Sequence, residues 1–179
     1  MSLTGEEFDA LFDSFRHTAF RLEAGAVYAI DTEDEDFAAW REGRPQPERS
    51  VRTEPWLARI AVSTATEGKQ WTRTRVFDDP LTEYQRYELG GLVESHACGD
   101  HTRIAWRSDV GDVGPDFWLL DAGWPSAHAV VMRYDDDGQW LAAELTYDPE
   151  TLAQLVAIRD HVLAVSVSLN EWMATSWSR

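Results

Sequence analysis

Nine tryptophans stand in a chain of 179 residues whose formal net charge is −16. Tryptophan buries a large apolar area, so this number indicates either a well-filled core or an apolar recognition surface beyond the core. The charge indicates that the rest of the surface repels anions. Together the two features predict an acidic, aromatic-rich globular protein, and neither of them names a reaction.

The length predicts a single domain over residues 1–179, large enough to be stable without a disulfide or a metal. Cys98 is the single cysteine, so the chain can form no internal disulfide, and a cytoplasmic location is expected. No apolar run reaches the length of a membrane helix, so no membrane contact is expected. The excess of acids over bases argues against direct binding of nucleic acid, because phosphate recognition needs clustered cations.

Capping and periodicity signals divide the first 97 residues of the chain into elements. Helices are predicted over 5–15, 33–42, 55–66 and 80–97, with extended segments over 18–30 and 70–77. The segment 44–54 contains two prolines and three arginines and is predicted to be an exposed connection. It separates an N-terminal portion, residues 1–43, from the main α/β part, residues 55–179.

Four short strands follow, over 102–107, 116–121, 127–134 and 139–147, and Asp137-Gly138 marks a hairpin turn between the last two. Pro149 begins a final helix that is predicted to run to about Ser176. Its apolar stripe is broad, so this helix is predicted to be central to the core or to form a homodimer interface.

This order of elements predicts a mixed α/β (α+β) fold with a central sheet, mostly antiparallel or mixed, covered by helices. A half-unit of the phospholipase-D-like kind has a similar order of elements. The His-x-Lys cluster of that family is absent, because Lys69, the only lysine, follows Glu67 at the position where a histidine would stand.

A run of possible metal ligands lies at the end of the 80–97 helix, where His96, Cys98, Asp100 and His101 fall within six residues. Zinc accepts such side chains, but structural zinc sites usually take a second ligand pair from elsewhere, and no such pair follows. We therefore interpret the run as a polar turn, and we expect neither a metal nor another cofactor.

The segment 80–89 offers a candidate binding site. Glu83 and Tyr87 share one helical face, Tyr84 and Glu88 share another, and Arg86 lies between them. With Trp118 and Asp121 from the predicted strand over 116–121, these side chains could line a polar pocket for a small molecule. The alternative is a half-buried helix whose tyrosines belong to the core.

Four segments, 8–23, 80–89, 116–121 and 132–138, resemble an actinobacterial family of unknown function whose members are typically encoded beside WhiJ-type helix-turn-helix regulators. The resemblance is most specific in PLTEYQRYEL and DFWLLD. It implies a regulatory or accessory role and a DNA-binding partner, and it implies no catalytic residues. The family's usual pattern lacks the His96–His101 cluster, which further disfavours a metal.

Our first functional hypothesis is therefore a non-enzymatic cytoplasmic accessory protein that binds a protein partner, such as a helix-turn-helix regulator. A small-molecule sensor with its pocket at Glu83, Tyr84, Arg86, Tyr87, Trp118 and Asp121 is the second. An enzyme with an unfamiliar site is the third, since no recognised catalytic motif is present.

Overall fold

A seven-stranded mixed sheet organises the chain in the computed structural model, which describes residues 2–30 and 33–176. The strands lie in the order β6-β5-β4-β1-β2-β3-β7. They are β1 (Thr18–Glu23), β2 (Gln70–Phe77), β3 (Asp100–Trp106), β4 (Phe117–Leu120), β5 (His128–Tyr134), β6 (Trp140–Thr146) and β7 (Val167–Ser168).

The first three strands form a parallel centre, with β2 between β1 and β3. All other pairings are antiparallel: β4 adds to β1, β5 to β4, β6 to β5 and β7 to β3. Parallel strands need crossover connections, and helices supply them here. Because β1 belongs to the N-terminal portion of the chain, that portion and residues 55–179 share one sheet.

The helices described are α1 (Gly5–Ser14), α2 (Asp34–Arg41), α3 (Pro55–Glu67), α4 (Glu83–Ala97), α5 (Arg107–Val110), α6 (Pro149–Val165) and α7 (Leu169–Ser176). Capping boxes begin α1 at Thr4 and α4 at Thr82. Pro55 opens α3, and Gly68 ends it in the left-handed conformation that glycine adopts without strain.

Apolar residues cover both faces of the sheet. On one face, Phe12, Ile60 and Trp71 belong to a cluster that joins α1 and α3 to the strands. On the other face, Leu155 and Val162 of α6 pack against strand residues such as Leu22. A third cluster joins α4 and α7 to β2 and β3. The central strands thus carry buried apolar residues on both faces, and helices pack against each face.

The prediction of a mixed α/β fold with a mixed sheet covered by helices is confirmed. The likeness to a phospholipase-D-like half-unit stays a prediction. The elements predicted before Pro149 agree with the observed ones to within a few residues, except that 24–30 is irregular beyond β1 and the short helix α5 was not expected. The predicted helix over 33–42 is α2. In the sequence, Thr32 and Glu35 have the spacing of a capping box for this helix, and Thr32 lies outside the described residues.

The prediction of one helix from Pro149 to Ser176 is wrong, because α6 ends at Val165 and the chain becomes extended. Val167 and Ser168 pair with β3 at Ile104 and Arg103. Arg103 also donates to the Ser166 backbone oxygen at 2.5 Å and to its hydroxyl at 2.8 Å. Pairing at the sheet edge therefore replaces helical hydrogen bonds in this stretch.

Candidate functional site

A cavity of about 470 Å³ lies between the sheet and the helices α1, α2 and α4. Part of the predicted connection over 44–54 also lines it, through Gln46, Pro47 and Arg49. The connection is largely exposed, as expected, and carries no regular secondary structure. Cavities of this size accommodate small molecules and cofactors.

Three arginines on β1 and β2 lie beneath this cavity or line it. Arg21 stands directly beside Arg73 in the parallel pairing of β1 with β2, and Arg75 follows two residues further along. Arg21 is 4% exposed and Arg75 is fully buried. Because successive strand residues point to opposite faces, all three side chains share the face that carries the cavity.

Four carboxylates compensate these arginines. Glu23 pairs with Arg21 at 3.3 Å and with Arg73 at 2.9 Å. The others are Asp100 on Arg73 (2.9 Å), Glu88 on Arg75 (2.5 Å) and Asp116 on Arg21 (3.3 Å). We call these three arginines and four carboxylates the charged floor. Arginines removed from water need such partners, because an unpaired buried charge is strongly unfavourable.

The pKa values of the two glutamates of the charged floor are shifted in opposite directions. Burial by itself would raise the pKa of Glu23, but the charges of Arg73, Arg21 and Arg75 lower that pKa to about 2. Burial raises the pKa of Glu88 to about 7 although Arg75 opposes it. Glu23 is therefore a permanent anion, and Glu88 can take up a proton near neutral pH.

A hydroxyl network extends the floor toward the irregular segment 24–30. The hydroxyl of Tyr28 donates to Asp116 Oδ2 at 2.5 Å and accepts the Gly25 amide at 2.9 Å. Asp116 also accepts the Ala24 amide at 2.8 Å, so one carboxylate holds both the arginine of β1 and the chain that follows β1. Burial raises the pKa of Tyr28, which keeps its hydroxyl protonated as a donor.

Tryptophan and phenylalanine rings form part of the cavity wall. Phe12 of α1 makes edge contacts with Trp56 of α3 and Trp118 of β4, at centroid distances of 4.9 and 4.7 Å. Such edge-to-face packing is the favoured arrangement of aromatic pairs. These rings give the cavity an apolar wall of fixed shape.

Tyrosines form another part of the wall. Tyr28 contacts Tyr134 at 5.0 Å and Tyr84 at 6.0 Å, and Tyr84 contacts Tyr87 at 5.9 Å. The hydroxyl of Tyr84 donates to Glu33 Oε2 at 3.2 Å. The wall can thus contact a ligand through aromatic faces and through phenolic hydroxyls.

The structure brings Tyr84, Tyr87 and Trp118 together at the cavity, three of the six residues assigned to a pocket from the sequence. It places the remaining three elsewhere. Glu83 is exposed and pairs with Arg41 at 2.5 Å, and exposed Arg86 donates to the Leu81 carbonyl at 2.8 Å.

Asp121 is fully buried and has a structural role at the end of β4. It accepts the backbone amides of Arg16, His17 and Thr18 and the Ser126 hydroxyl. Burial would raise its pKa, but these hydrogen bonds hold the pKa below its usual value. Its φ of 51° is left-handed, so it fixes a turn and does not line the cavity.

The side chains of the run from His96 to His101 do not converge on one site. His96 accepts the Thr102 amide at 3.2 Å and lies 3.1 Å from the Asn170 amide nitrogen, Cys98 is the last-turn cap of α4, and His101 is exposed on β3. Within residues 2–30 and 33–176, no three His, Cys, Asp or Glu side chains are placed to hold one metal ion.

The charged floor was missed from the sequence. Its signal is an alternation of charged residues within two strands, Arg21-x-Glu23 and Arg73-x-Arg75, where neighbouring residues such as Leu22 are apolar. Charges at every second position of a strand indicate an exposed face, unless that strand is covered by helices on both sides. Only the tertiary structure shows that it is.

In the part of the chain that the structure describes, none of the helices combines the length and apolar character that crossing a bilayer requires.

The fold and the cavity define a mixed α/β domain with an aromatic-lined site above a buried charged floor. The chain belongs to the family described as Domain of unknown function (DUF6879), whose model matches residues 6–174. That match covers α1 from its second residue, every element from β1 to β7, and all residues that line the cavity. A search of curated proteins found no match.

Proposed function

We propose that this protein is a non-enzymatic regulatory protein that binds a small molecule in the cavity above the charged floor. The observation that carries the proposal is the combination of a cavity of about 470 Å³ with eight aromatic residues and a set of prearranged ionic side chains in its lining. Few, precisely held polar groups within an otherwise aromatic wall are typical of ligand sites.

The rigidity of the lining supports this proposal. Each floor arginine is held by at least one carboxylate, and Arg75 Nη1 additionally donates to three backbone carbonyls, those of Glu23, Gly25 and Val76. A site that is already ordered loses little conformational entropy when a ligand binds. Stability alone does not call for such a floor, since apolar residues can replace a buried ion pair at little or no cost in stability.

Binding without catalysis is favoured by the chemistry of the lining. The described lining residues include no histidine and no cysteine. Glu23 has a pKa of about 2 and stays ionised, so it is a poor proton carrier at neutral pH. Glu88 can exchange a proton, but its partner is Arg75 and not a hydroxyl or thiol nucleophile.

The cellular setting is part of the proposal. We infer an actinobacterial source, a cytoplasmic location and a gene beside a WhiJ-type helix-turn-helix regulator, from the sequence resemblance and the single cysteine. In that setting, ligand binding in the cavity would modulate a regulator.

A metabolite and fragment screen by thermal shift and ligand-observed NMR tests the proposal, because a ligand that binds the folded state raises the melting temperature. Gly91 shares a helical face with Tyr84, Glu88 and Ser95, and a Cβ there meets nothing closer than 3.6 Å. Gly91→Leu should therefore fill part of the cavity and abolish the hits.

Ala97→Leu is the matched control, since Ala97 is exposed at the end of α4 and does not line the cavity. It should keep the hits. If the screen finds no ligand, or if both variants bind every hit as the wild type does, the cavity is not a binding site.

A protein partner is the second function that we propose, and the charge distribution supports it. The buried charged residues of the described chain are three cations and three carboxylates: Arg21, Lys69, Arg75, Asp100, Asp116 and Asp121. The acidic excess therefore lies on the exposed and half-exposed surface, where Trp124 and Trp140 are also 47% and 45% exposed. Such a surface complements a basic partner.

Purified helix-turn-helix regulator from the neighbouring gene should bind this chain at low ionic strength and should lose affinity as salt rises. Absence of binding at low salt would contradict a role for this partner. A homodimer through the C-terminal helix stays a prediction, and light scattering of the purified chain would test it.

A further inference from the structure

The arginines at the cavity are already neutralised by the protein itself. Arg21 and Arg73 share Glu23, and each has a second carboxylate as well. Arg49, from the 44–54 connection, pairs with Glu94 at 3.3 Å. A further anion would therefore have to compete with the carboxylates in place.

Two acids at the cavity are in the opposite situation. Glu33 accepts a hydrogen bond from Tyr84, and among the described residues no arginine or lysine forms an ion pair with Glu33 or with Asp36. Burial raises the pKa of Glu33, the Tyr84 hydrogen bond and the charge of Arg49 oppose that rise only in part, and the charges of Glu23 and Asp36 add to it. The charge of Glu33 is thus not fully compensated in the unliganded protein.

The aromatic rings of the cavity also fall into two groups, those that already have an arginine over them and those that have none in the described chain. Arginines already lie over Tyr28 at 5.1 Å, Trp118 at 5.5 Å and Trp56 at 5.7 Å. Within the described chain, no cation lies over the ring of Tyr84, whose hydroxyl contacts Glu33, or over the neighbouring ring of Tyr87. Glu33 and Asp36 line the same cavity as Tyr87. Burial raises the pKa of Tyr87 to about 12, the charges of Glu33 and Asp36 contribute to that rise, and the charge of Arg49 opposes it.

Glu33, Asp36, Tyr84 and Tyr87 together form what we call the α2–α4 corner of the cavity. An ammonium group is attracted to the face of an aromatic ring, and carboxylates close by add a direct charge attraction. The overall charge of −16 further raises the local concentration of cations.

We propose that the ligand of this cavity is an organic cation, an amine or quaternary ammonium compound, whose charged group lies in the α2–α4 corner and whose apolar part lies against Trp56 and Trp118. This inference rests on the proposed small-molecule function and names its ligand class. The volume leaves room for an apolar group attached to the ammonium.

Calorimetric titration of the full chain with four benzyl compounds of similar size tests the ligand class. Benzylamine and benzyltrimethylammonium are cations, benzyl alcohol is neutral and benzoate is an anion. We expect both cations to bind at least about tenfold more tightly than benzyl alcohol, and benzoate to bind more weakly than either.

Variants then locate the charged group. Glu33→Gln and Asp36→Asn should each weaken binding of the two cations by about tenfold and leave benzyl alcohol unchanged. Glu35→Gln removes the same charge from the exposed side of α2 and should change no affinity by more than about twofold. Circular dichroism verifies that each variant is folded.

The outcomes separate the two proposals. Binding of benzyl alcohol or benzoate as tight as that of the cations, lost in Gly91→Leu, would overturn the cation inference and leave the binding cavity standing. Equal losses in Glu33→Gln and Glu35→Gln would also overturn it, because they would reflect overall charge. If none of the four compounds binds, the cation inference fails, and the screen with Gly91→Leu decides separately whether the cavity binds anything.

Discussion

At the scale of single residues, Glu23 holds the site together. It is the shared anion of Arg21 and Arg73, two like charges that the parallel pairing of β1 and β2 places side by side. Without it, both guanidinium groups would remain buried with one carboxylate each, and their mutual repulsion would be less compensated. Two arginines of the charged floor therefore depend on this one carboxylate.

Glu23→Gln should lower the free energy of unfolding by about 3 kcal/mol, because it removes one partner of a buried ion pair. Urea denaturation of the variant beside the wild type measures this difference. Glu35→Gln, an exposed charge neutralisation on α2, should change it by no more than about 0.5 kcal/mol. Similar small effects from both substitutions would mean that Arg21 and Arg73 gain little from Glu23.

Glu88 predicts a dependence of stability on pH. Its pKa is about 7 in the folded state against an ordinary value of 4.5, so the folded state binds a proton that the unfolded chain has released. The stabilising contribution is complete below about pH 4.5 and is lost as pH rises toward and past about 7.

Glu88→Gln lacks this titration, so the wild-type free energy of unfolding minus that of the variant should decrease between about pH 4.5 and about pH 7. Denaturation curves at several pH values measure it, and titrations elsewhere in the chain cancel in the difference. A constant or increasing difference over this range would show that the pKa of Glu88 is not raised.

At the scale of elements, α4 supplies much of the cavity lining. Tyr84, Tyr87 and Glu88 all come from its cavity side, and the Thr82 capping box fixes where that helix begins. The Gly90-Gly91 pair leaves its middle without side chains where a Cβ on Gly91 would lie 3.6 Å from Arg49 Nη1. The two glycines therefore lower the helix propensity of α4 at positions that border the cavity.

Replacing glycine by alanine should change the free energy of unfolding in opposite directions in α4 and in the β5–β6 turn. Gly90→Ala adds a methyl group to α4 in open space and should raise the free energy of unfolding by up to about 1 kcal/mol. Gly138→Ala places a Cβ 2.6 Å from the Val27 oxygen at a φ of 82° and should lower it by more than about 1 kcal/mol. Thermal and urea unfolding of both variants measure the signs, and equal signs would contradict the packing of the β5–β6 turn on residues 27 and 28.

At the scale of the whole molecule, charge is sorted between inside and outside. The interior is balanced, and the surface carries the acidic excess. A surface of one sign repels itself and destabilises the compact state. Added salt should therefore stabilise the protein by screening, even though it weakens individual surface ion pairs.

We expect the melting temperature at neutral pH to rise with sodium chloride concentration, as scanning calorimetry can measure. The same series near the isoelectric point of about 4.5 is the control, because the repulsion vanishes there and the salt effect should largely disappear. Equal salt effects at both pH values would assign the stabilisation to general salt effects and not to charge repulsion.

Half of the six pocket residues proposed from the sequence line the cavity, and the reason lies in the range of the signals. Tyr84 and Tyr87 lie within one helical turn of each other, so the helix brings both to the cavity although the sequence placed them on different faces. Trp118 joins them through the sheet, whereas Asp121 sits only three residues further on and is turned by its left-handed φ into backbone contacts. Nothing in the local pattern separates these two.

The sequence by itself determined the elements and the class of fold, because caps, periodicity, Pro55, Gly68 and the Asp137-Gly138 turn act over a few residues. The tertiary structure decided the rest: the register that places Arg21 beside Arg73, the burial of that pair under α1 and α4, and the end of α6 where Val167 pairs with β3. Register and burial arise from contacts between residues far apart in the chain. Their free energies depend on which strands and helices meet, and no local pattern records that.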